Sequence, residues 1–288
     1  MSKGGRDGRL RKRVWAGLAI SLRQVIMLVM AVGSLYPLYF IFVNAFKTKV
    51  EYAGNKSGLP HHLVGEAFSK VFQGPNFARW FGNSLLLTFG SVLISLFIGA
   101  MAAYAMSRMR FRGQGLLLNG IVTLMVIPPI VMVIPLFVLM SRVNLINSYP
   151  APILIYTGLL LPFTIYLLYS FFVTVPQAIV DSAMIDGCSN LQTFLRIILP
   201  LSRPALVTLI VVNALWVWNE ILVALIFLQK EELRTIMVGL TVFRGRFSVD
   251  VPVIMAGLVV ASLPMLLMYI FGQRYLVKGL VAGSLKGE

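Results

Sequence analysis

The sequence predicts an all-α integral membrane protein with six transmembrane helices. Of its 288 residues, 58% are hydrophobic and 12% are charged, whereas a water-soluble domain carries about 25% charged residues. The apolar residues form continuous blocks rather than an alternating pattern, which indicates membrane helices and not a β-barrel. Each block reaches the length of about 20 apolar residues that one helical span requires.

Six apolar blocks follow one another along the chain, and they predict one membrane domain over residues 24–276. This domain is expected between a basic N-terminal tail, residues 1–23, and a C-terminal tail, residues 277–288. The six predicted spans are 24–46, 84–106, 116–140, 151–174, 205–228 and 251–273. Because the number of spans is even, both termini are expected on the same side of the membrane.

Two of these blocks carry features that affect how they cross the membrane. The run at 24–46 is too long for a removable signal peptide, so we expect it to remain as a transmembrane helix. Pro128, Pro129 and Pro135 interrupt the third block, and proline removes a backbone donor and kinks a helix. The break either shapes the helix only or lines a pathway, because irregular backbone persists in a membrane where it is buried or faces water.

Lysine and arginine are distributed unequally between the two sides of the predicted spans. Fifteen of the 25 lie on the side of the termini, in 1–23, 107–115, 175–204 and 274–288. Because positive charge is retained in the cytoplasm, we expect both termini to be cytoplasmic. The same rule accounts for the net charge of +15 without a nucleic-acid partner, which is the alternative that a basic protein raises.

The segment 175–204 is long for a connection and predicts two short helices joined by a turn. Pro176 suits the first turn of a helix, and Gly187 can adopt the left-handed conformation that ends one. Ser189 or Asn190 can then cap the second helix. The segment therefore predicts a cytoplasmic helix–turn–helix.

The charges of this predicted hairpin favour a protein partner over a lipid surface. A helix that lies on lipid headgroups normally has a polar face rich in lysine and arginine. Here the first helix carries Asp181 and Asp186, and only Arg196 follows. An amphipathic hairpin resting on the headgroups remains the alternative.

The spacing within the hairpin resembles the EAA loop of ABC-importer permeases. In that family an acidic-Ala-Ala triplet is followed by three residues, Gly, nine residues and Ile-x-Leu-Pro. This chain has Asp181-Ser182-Ala183, Gly187 and Ile197-Ile198-Leu199-Pro200 at the same intervals. Because Asp-Ser replaces the usual Glu-Ala, an ion pair with the ATPase would require a closer approach.

Other segments are similar to the carbohydrate-uptake branch of the family, specifically its maltose-type second permease subunit. The resemblance covers nearly the whole chain. It includes Ile185-Asp186-Gly187, Asn83-Ser84, Ile134-Pro135-Leu136-Phe137, Trp218-Asn219 and the terminal run 271–287.

The resemblance implies a multi-pass permease subunit of a sugar or oligosaccharide importer in a bacterial-type inner membrane, forming half of the translocation pathway. It implies a second permease, two ATPase subunits and a solute-binding protein on the outer face. The residues implied in ATPase coupling are Asp181, Ser182, Ala183, Ile185, Asp186, Gly187, Phe194, Leu199 and Pro200. A terminal contact with the ATPase is implied for Gly283, Ser284 and Lys286.

The chain is expected not to be an enzyme. No Gly-x-x-x-x-Gly-Lys-Ser/Thr sequence occurs, so the chain lacks the loop that holds nucleotide phosphates. We therefore expect no cofactor on this chain, with ATP and Mg²⁺ in the partner ATPase. An intramembrane enzyme is disfavoured because no nucleophile is paired with a base.

The fifth predicted span contains the acid Glu220, next to Asn219 and close to Trp216 and Trp218. An ionised acid within a membrane costs about 2.5–3.5 kcal/mol on insertion scales, so it normally faces a cavity or a partner. These four residues either line the translocation path and contact a sugar, or hold neighbouring helices together. The alternative function is a proton-coupled secondary transporter using Glu220, which predicts an inverted repeat that is not evident.

Overall fold

Helices account for all regular structure in the residues that the computed structural model describes, 4–74, 76–242 and 250–284. Side chains are described within 20–74, 76–241 and 250–274. The all-α prediction is confirmed. In chain order the α-helices are α1 (Gly4–Asn44), α2 (Lys49–Gly54), α3 (Glu66–Gln73), α4 (Phe77–Arg108), α5 (Gln114–Leu124), α6 (Pro129–Arg142), α7 (Pro150–Thr174), α8 (Gln177–Ile185), α9 (Asn190–Thr193), α10 (Leu199–Leu201), α11 (Arg203–Asn219), α12 (Leu222–Phe227), α13 (Ile236–Val242) and α14 (Val251–Ser284). A π-helical turn, Phe194–Ile198, joins α9 to α10, and a 3-10 turn, Glu231–Leu233, precedes α13.

The predicted spans correspond to two kinds of structure. Among the described residues, four helical stretches are long and apolar enough to cross a membrane alone: Ile20–Asn44, Phe77–Arg108, Pro150–Thr174 and Val251–Arg274. The third predicted span, 116–140, is divided into α5 and α6, which meet at 98°. Pro128 is extended (φ −63°, ψ 131°) and Pro129 begins α6, so two adjacent prolines interrupt the hydrogen-bond ladder.

The fifth predicted span, 205–228, is not one continuous helix in the structure. Helix α11 ends at Asn219, and Glu220 is extended (φ −73°, ψ 127°) before α12 begins. The Glu220 carboxylate accepts hydrogen bonds from the backbone N–H groups of Leu222 and Val223 at 2.8–3.1 Å. A side chain that caps a new helix in this way stabilises the break. At its other end, α11 meets the Asn190–Leu201 segment at 74°.

Contacts divide the chain into two units, Met1–Val71 with Val249–Val259, and Phe72–Ser248 with Val260–Glu288. In the first unit, Lys47 is only 1% exposed. Its Nζ donates to the backbone oxygens of Asn55 and Gly58, each at 2.7 Å. Burial lowers the pKa of Lys47. The lysine thus fixes the loop after α1 by bonds to the backbone.

In the second unit, α4 and α7 form the centre of the helix packing. Helix α4 presents a stripe of small buried residues, spaced four apart, to this contact: Ser91, Ser95, Gly99 and Ala103. A Cβ at Gly99 would lie 2.6 Å from Cγ2 of Thr164 on α7, so the two backbones approach closely. Small residues permit such approach in membrane helices. Leu93 and Phe97 on α4 are 59% and 67% exposed, as a lipid-facing side requires.

The N-terminal end of α4 holds the segment between α12 and α13 through side-chain hydrogen bonds. Trp80 Nε1 donates to the Glu231 backbone oxygen at 2.7 Å. Asn83 Nδ2 donates to the backbone oxygens of Glu232 and Arg234, each at 2.9 Å. The Ile236 N–H donates to Ser84 Oγ at 2.9 Å. The Asn-Ser pair at the start of this span therefore has a structural role.

Candidate functional site

The 175–204 segment forms the predicted helix–turn–helix, called here the coupling hairpin (residues 176–200). Its first helix is α8, and Gly187 makes the turn with φ +84°. Ser189 opens α9 in a capping box, in which Ser189 Oγ accepts from the Gln192 N–H and Gln192 Oε1 accepts from the Ser189 N–H. The local sequence signals thus produce the expected conformation.

The nine residues implied in coupling divide between the surface and the interior of the hairpin. Ile185 is 86% exposed, whereas Ala183 and Phe194 are 4% and 5% exposed. Leu199 is half-buried. The remaining exposed members are Asp181, Ser182, Asp186, Gly187 and Pro200. Ala183 and Phe194 therefore hold the hairpin in place from within, and the exposed residues form a surface.

The charged side chains exposed on α8 and the turn after it are acidic. Asp181 and Asp186 are both exposed, and neither is in an ion pair with any described side chain. Asp181 Oδ1 accepts a 3.0 Å hydrogen bond from Gln177 Nε2, one helical turn earlier. Two carboxylates and the exposed Ile185 side chain are thus available to a partner with an apolar cleft and positive charge.

The sequence did not identify the residues that fasten the hairpin to the spans. Arg108, the last residue of α4, donates from Nη1 to Gln177 Oε1 at 2.7 Å and from Nη2 to the backbone oxygens of Phe172 and Val175. The Tyr104 ring packs on the Phe194 ring, with centroids 5.0 Å apart. The only sequence signal was the basic charge of the 107–115 segment, which indicated its side of the membrane and no contact.

The implied terminal contact falls mostly beyond what can be described. Gly283 and Ser284 are the last two residues of α14, and their side chains lie outside the described residues. Lys286 lies outside the described residues altogether. Their contact with an ATPase stays a prediction.

The four candidate residues of the translocation path do not share one surface. Trp218 is 2% exposed and its Nε1 donates to the Ala261 backbone oxygen at 3.0 Å. Trp216 is 38% exposed, and its ring meets the Tyr156 ring edge-on, with centroids 6.1 Å apart. Asn219 is exposed and donates to the Leu215 backbone oxygen at 2.8 Å. Glu220 is engaged by the α12 backbone and by the Tyr156 hydroxyl at 2.7 Å.

A cavity of about 550 Å³ lies among α5, α6, α7 and α11, beside the break between α5 and α6. Its lining is mainly apolar, and Trp216 is the one member of the four candidates that contributes to it. Asn213 supplies a polar lining side chain, but its Nδ2 is bonded to Thr164 Oγ1 at 3.0 Å. In the described part of the chain, no cluster of His, Cys, Asp or Glu could hold a metal ion.

Comparison with known proteins extends the resemblance seen in the hairpin. Residues 95–281 match the family described as "Binding-protein-dependent transport system inner membrane component". A putative ABC transporter permease protein of Caldicellulosiruptor is 38% identical over 87% of this chain and 91% of its own length. The diacetylchitobiose uptake system permease protein DasC of Streptomyces coelicolor is 32% identical over 96% of this chain and 98% of its own.

A solved structure shares the fold. A chain of a bacterial ABC transporter involved in the import of the acidic polysaccharide alginate matches with a TM-score of 0.79, over 96% of this chain and 99% of that one. The sequences are 23% identical, so this similarity concerns the fold alone.

Proposed function

This chain belongs to the family of binding-protein-dependent transport system inner membrane components, and from that premise we propose that ATP-driven carbohydrate uptake is coupled through its hairpin at 176–200. It is a multi-pass membrane protein and the permease subunit of an ABC importer. The observation that carries the coupling proposal is the exposed surface formed by Asp181, Ile185 and Asp186, with the family intervals intact.

The hairpin is the contact with a separate ATPase subunit in this proposal. Its exposed Ile185 enters an apolar cleft, and Asp181 and Asp186 meet positive charge at the rim. Closure of the ATPase then displaces the hairpin, and the spans move between inward- and outward-facing states. ATP and Mg²⁺ are bound by the ATPase. Gly283, Ser284 and Lys286 supply a second contact at the end of the chain.

The assembly follows from the family and from charge. A binding-protein-dependent system includes a solute-binding protein, and we assign it to the outer face. A second permease completes the pathway, and two ATPase subunits serve the two hairpins. Both termini and the hairpin lie in the cytoplasm, because lysine and arginine are concentrated on that side.

We assign the substrate to sugars or oligosaccharides. The support is the Streptomyces relative, an uptake permease for diacetylchitobiose that aligns along 98% of its length. Within the chain, Trp216 borders the cavity and offers an aromatic face to a sugar ring.

Glu220 and Trp218 are engaged in contacts between helices, which favours their role in holding the bundle. The bonds of Glu220 also give no support to a proton relay.

The test is to co-express the chain with its neighbouring importer genes and purify the complex through a tag on this chain. An ATPase subunit is expected to co-purify and to hydrolyse ATP. Ile185→Glu places charge at the tip of the hairpin and is expected to remove the ATPase from the complex. Val50→Glu is the matched control, because Val50 is 84% exposed against 86% for Ile185 and lies outside the hairpin.

Two outcomes would contradict the proposal. One is a complex in which no ATPase co-purifies with the unaltered chain. The other is equal ATPase recovery with Ile185→Glu and Val50→Glu. The substrate class is tested separately by uptake of radiolabelled diacetylchitobiose and maltose. Failure to take up either sugar would count against the carbohydrate assignment.

A further inference from the structure

The last turn of α4 contacts both helices of the coupling hairpin. Tyr104 packs on Phe194 in the second half of the hairpin, with ring centroids 5.0 Å apart. Arg108, one turn later, bonds Gln177 at the first residue of α8. In sequence, these two contacts lie on either side of the exposed residues assigned to the ATPase contact. A displacement of the hairpin therefore acts directly on this turn of α4.

The Arg108 guanidinium is bound by three oxygen atoms where α7 is joined to α8. Nη2 donates to the backbone oxygen of Phe172 at 2.5 Å and to that of Val175 at 2.7 Å. The C-terminal end of a helix carries partial negative charge on its backbone oxygens and attracts a cation. Nε of Arg108 is buried without a hydrogen-bond partner among the described residues, so this side of the guanidinium is shielded from solvent.

Gln177 connects this guanidinium to the acid of the coupling motif. Its Oε1 accepts from Arg108 Nη1 at 2.7 Å, and its Nε2 donates to Asp181 Oδ1 at 3.0 Å. Only this orientation of the amide suits both neighbours, since the reverse would face donor to donor and acceptor to acceptor. The hydrogen bonds Arg108–Gln177–Asp181 therefore all run from donor to acceptor in one direction, from the guanidinium at one end to the carboxylate at the other.

We propose that Arg108 is a positioning residue that joins the coupling hairpin to α4, acting through Gln177 on Asp181. When α8 moves, the end of α4 moves with it. Because α4 and α7 are in close contact at Gly99, both of these spans then move. The aspartate that replaces the usual glutamate bonds its own helix through Gln177, an arrangement that also stabilises α8. This inference rests on the coupling function proposed above.

Neighbouring arginines provide the contrast. Arg110 and Arg112 lie within four residues of Arg108 and are exposed. Neither is in an ion pair with a described side chain. Removal of their charge alters the same loop without touching the hairpin, so Arg112 is a matched control.

The test measures the distance between the hairpin and the end of α4 in the complete importer. Cys188 is the one cysteine of the chain and is a partly exposed free thiol in the turn of the hairpin, so it serves as the site for the first spin label. Arg110→Cys supplies the second label beside α4. Electron–electron double resonance is recorded on the purified complex, with its other subunits free of cysteine, before and after trapping with ATP and vanadate.

In the doubly labelled parent, we expect the same distance in both states, because the hairpin and α4 move together. Arg108→Met in this background is expected to give a distance that shifts or broadens on trapping, beyond the about 1–2 Å of a typical helix shift. Gln177→Leu keeps the bonds of Arg108 to α7 and is expected to give the same change. Arg112→Met is expected to behave as the parent does.

The outcomes separate the two proposals. If the complex hydrolyses ATP and both Arg108→Met and Gln177→Leu keep the parental distance, the inference about Arg108 is overturned while the coupling function stands. A change with Arg108→Met alone overturns the connection to Asp181. If Arg108→Met does not assemble, Gln177→Leu decides. If no ATPase co-purifies with the parent, the coupling function itself fails and this inference fails with it.

Discussion

The Tyr156 hydroxyl donates a 2.7 Å hydrogen bond to Oε2 of Glu220, and this bond joins α7 to the break between α11 and α12. Both carboxylate oxygens of Glu220 also accept backbone N–H groups at the start of α12. The acid is thus satisfied within the chain, as a charged group in a membrane requires. Its contacts pair the N–H groups of Leu222 and Val223 where the span is interrupted.

Loss of this acid should destabilise the bundle more than loss of the hydroxyl. Glu220→Ala removes the cap of α12 and the bond to α7, and we expect a loss of about 2–4 kcal/mol. Tyr156→Phe removes one interhelical bond and is expected to cost about 0.6–1.7 kcal/mol. Unfolding in mixed micelles as the SDS fraction rises measures both values. Tyr166→Phe, on an exposed tyrosine of the same helix, is the control, and an unchanged midpoint for Glu220→Ala would refute the structural role.

Transport should not depend on a proton gradient. Both Glu220 oxygens are bonded within the chain, which gives the acid a structural role, and an ABC importer is driven by ATP hydrolysis in a separate subunit. Cells treated with a protonophore and kept supplied with ATP are expected to retain uptake of the radiolabelled sugar that the importer carries. Loss of uptake at constant ATP would favour the proton-coupled alternative.

The turn of the hairpin should tolerate asparagine better than valine. Gly187 has φ +84° and no atom within 4 Å of an added Cβ, so a substitution there strains the backbone alone. That strain is about 1–2 kcal/mol for most residues and least for Asn or Asp. We expect Gly187→Val to reduce ATPase recovery and uptake, and Gly187→Asn to retain most of both.

Gly113 supplies the control for this substitution. It also has φ +84° and open space around an added Cβ, and it lies outside the hairpin. Gly113→Val therefore introduces the same strain elsewhere, and it is expected to leave ATPase recovery intact. Equal loss of recovery with the two valine variants would mean that strain in general, and not the shape of the hairpin, decides the contact.

The close approach of α4 and α7 should depend on Gly99. A Cβ at Gly99 would meet Thr164 Cγ2 at 2.6 Å, whereas one at Gly90 would meet Ile153 at an ordinary 3.4 Å. Gly99→Ala is expected to cost about 1–3 kcal/mol by overpacking, and Gly90→Ala to cost little. Adding Thr164→Ser removes the clashing methyl and keeps the hydroxyl bonded to Asn213, so the double variant should regain stability in the same SDS titration. Failure of that rescue would contradict the steric explanation.

Lys47 should determine the rigidity of the loop after α1. Lys47→Met leaves the Asn55 and Gly58 oxygens without the ammonium that they bind at 2.7 Å. We expect faster chymotrypsin cleavage in residues 48–64, where Tyr52 and Leu63 are potential sites. Lys49→Met, on an exposed lysine two residues away, is expected to leave cleavage unchanged. Identical cleavage of both variants would show that the loop is held by other contacts.

The sequence by itself determined the class, the broad positions of the spans and the local form of the hairpin. These features depend on near neighbours along the chain. Continuous apolar blocks predict spans, Gly187 permits a left-handed turn, and Ser189 caps the helix that follows it. Each of these expectations agrees with the structure. The adjacent prolines Pro128 and Pro129 likewise predicted the break in the third block.

Only the tertiary structure decided which side chains meet across the bundle. Arg108 binds an oxygen 64 residues away on α7, and Tyr156 and Glu220 are also 64 residues apart. No local signal encodes such a pair, because helix rotation and the depth of packing choose the partner. The interruption at Glu220 could not be predicted from the sequence for the same reason, since 205–228 is apolar throughout apart from Thr208, Asn213, Asn219 and this acid. Packing also turned Ala183 and Phe194 inward and left Asp181 and Ile185 outward, because the hairpin contacts the spans through one face only.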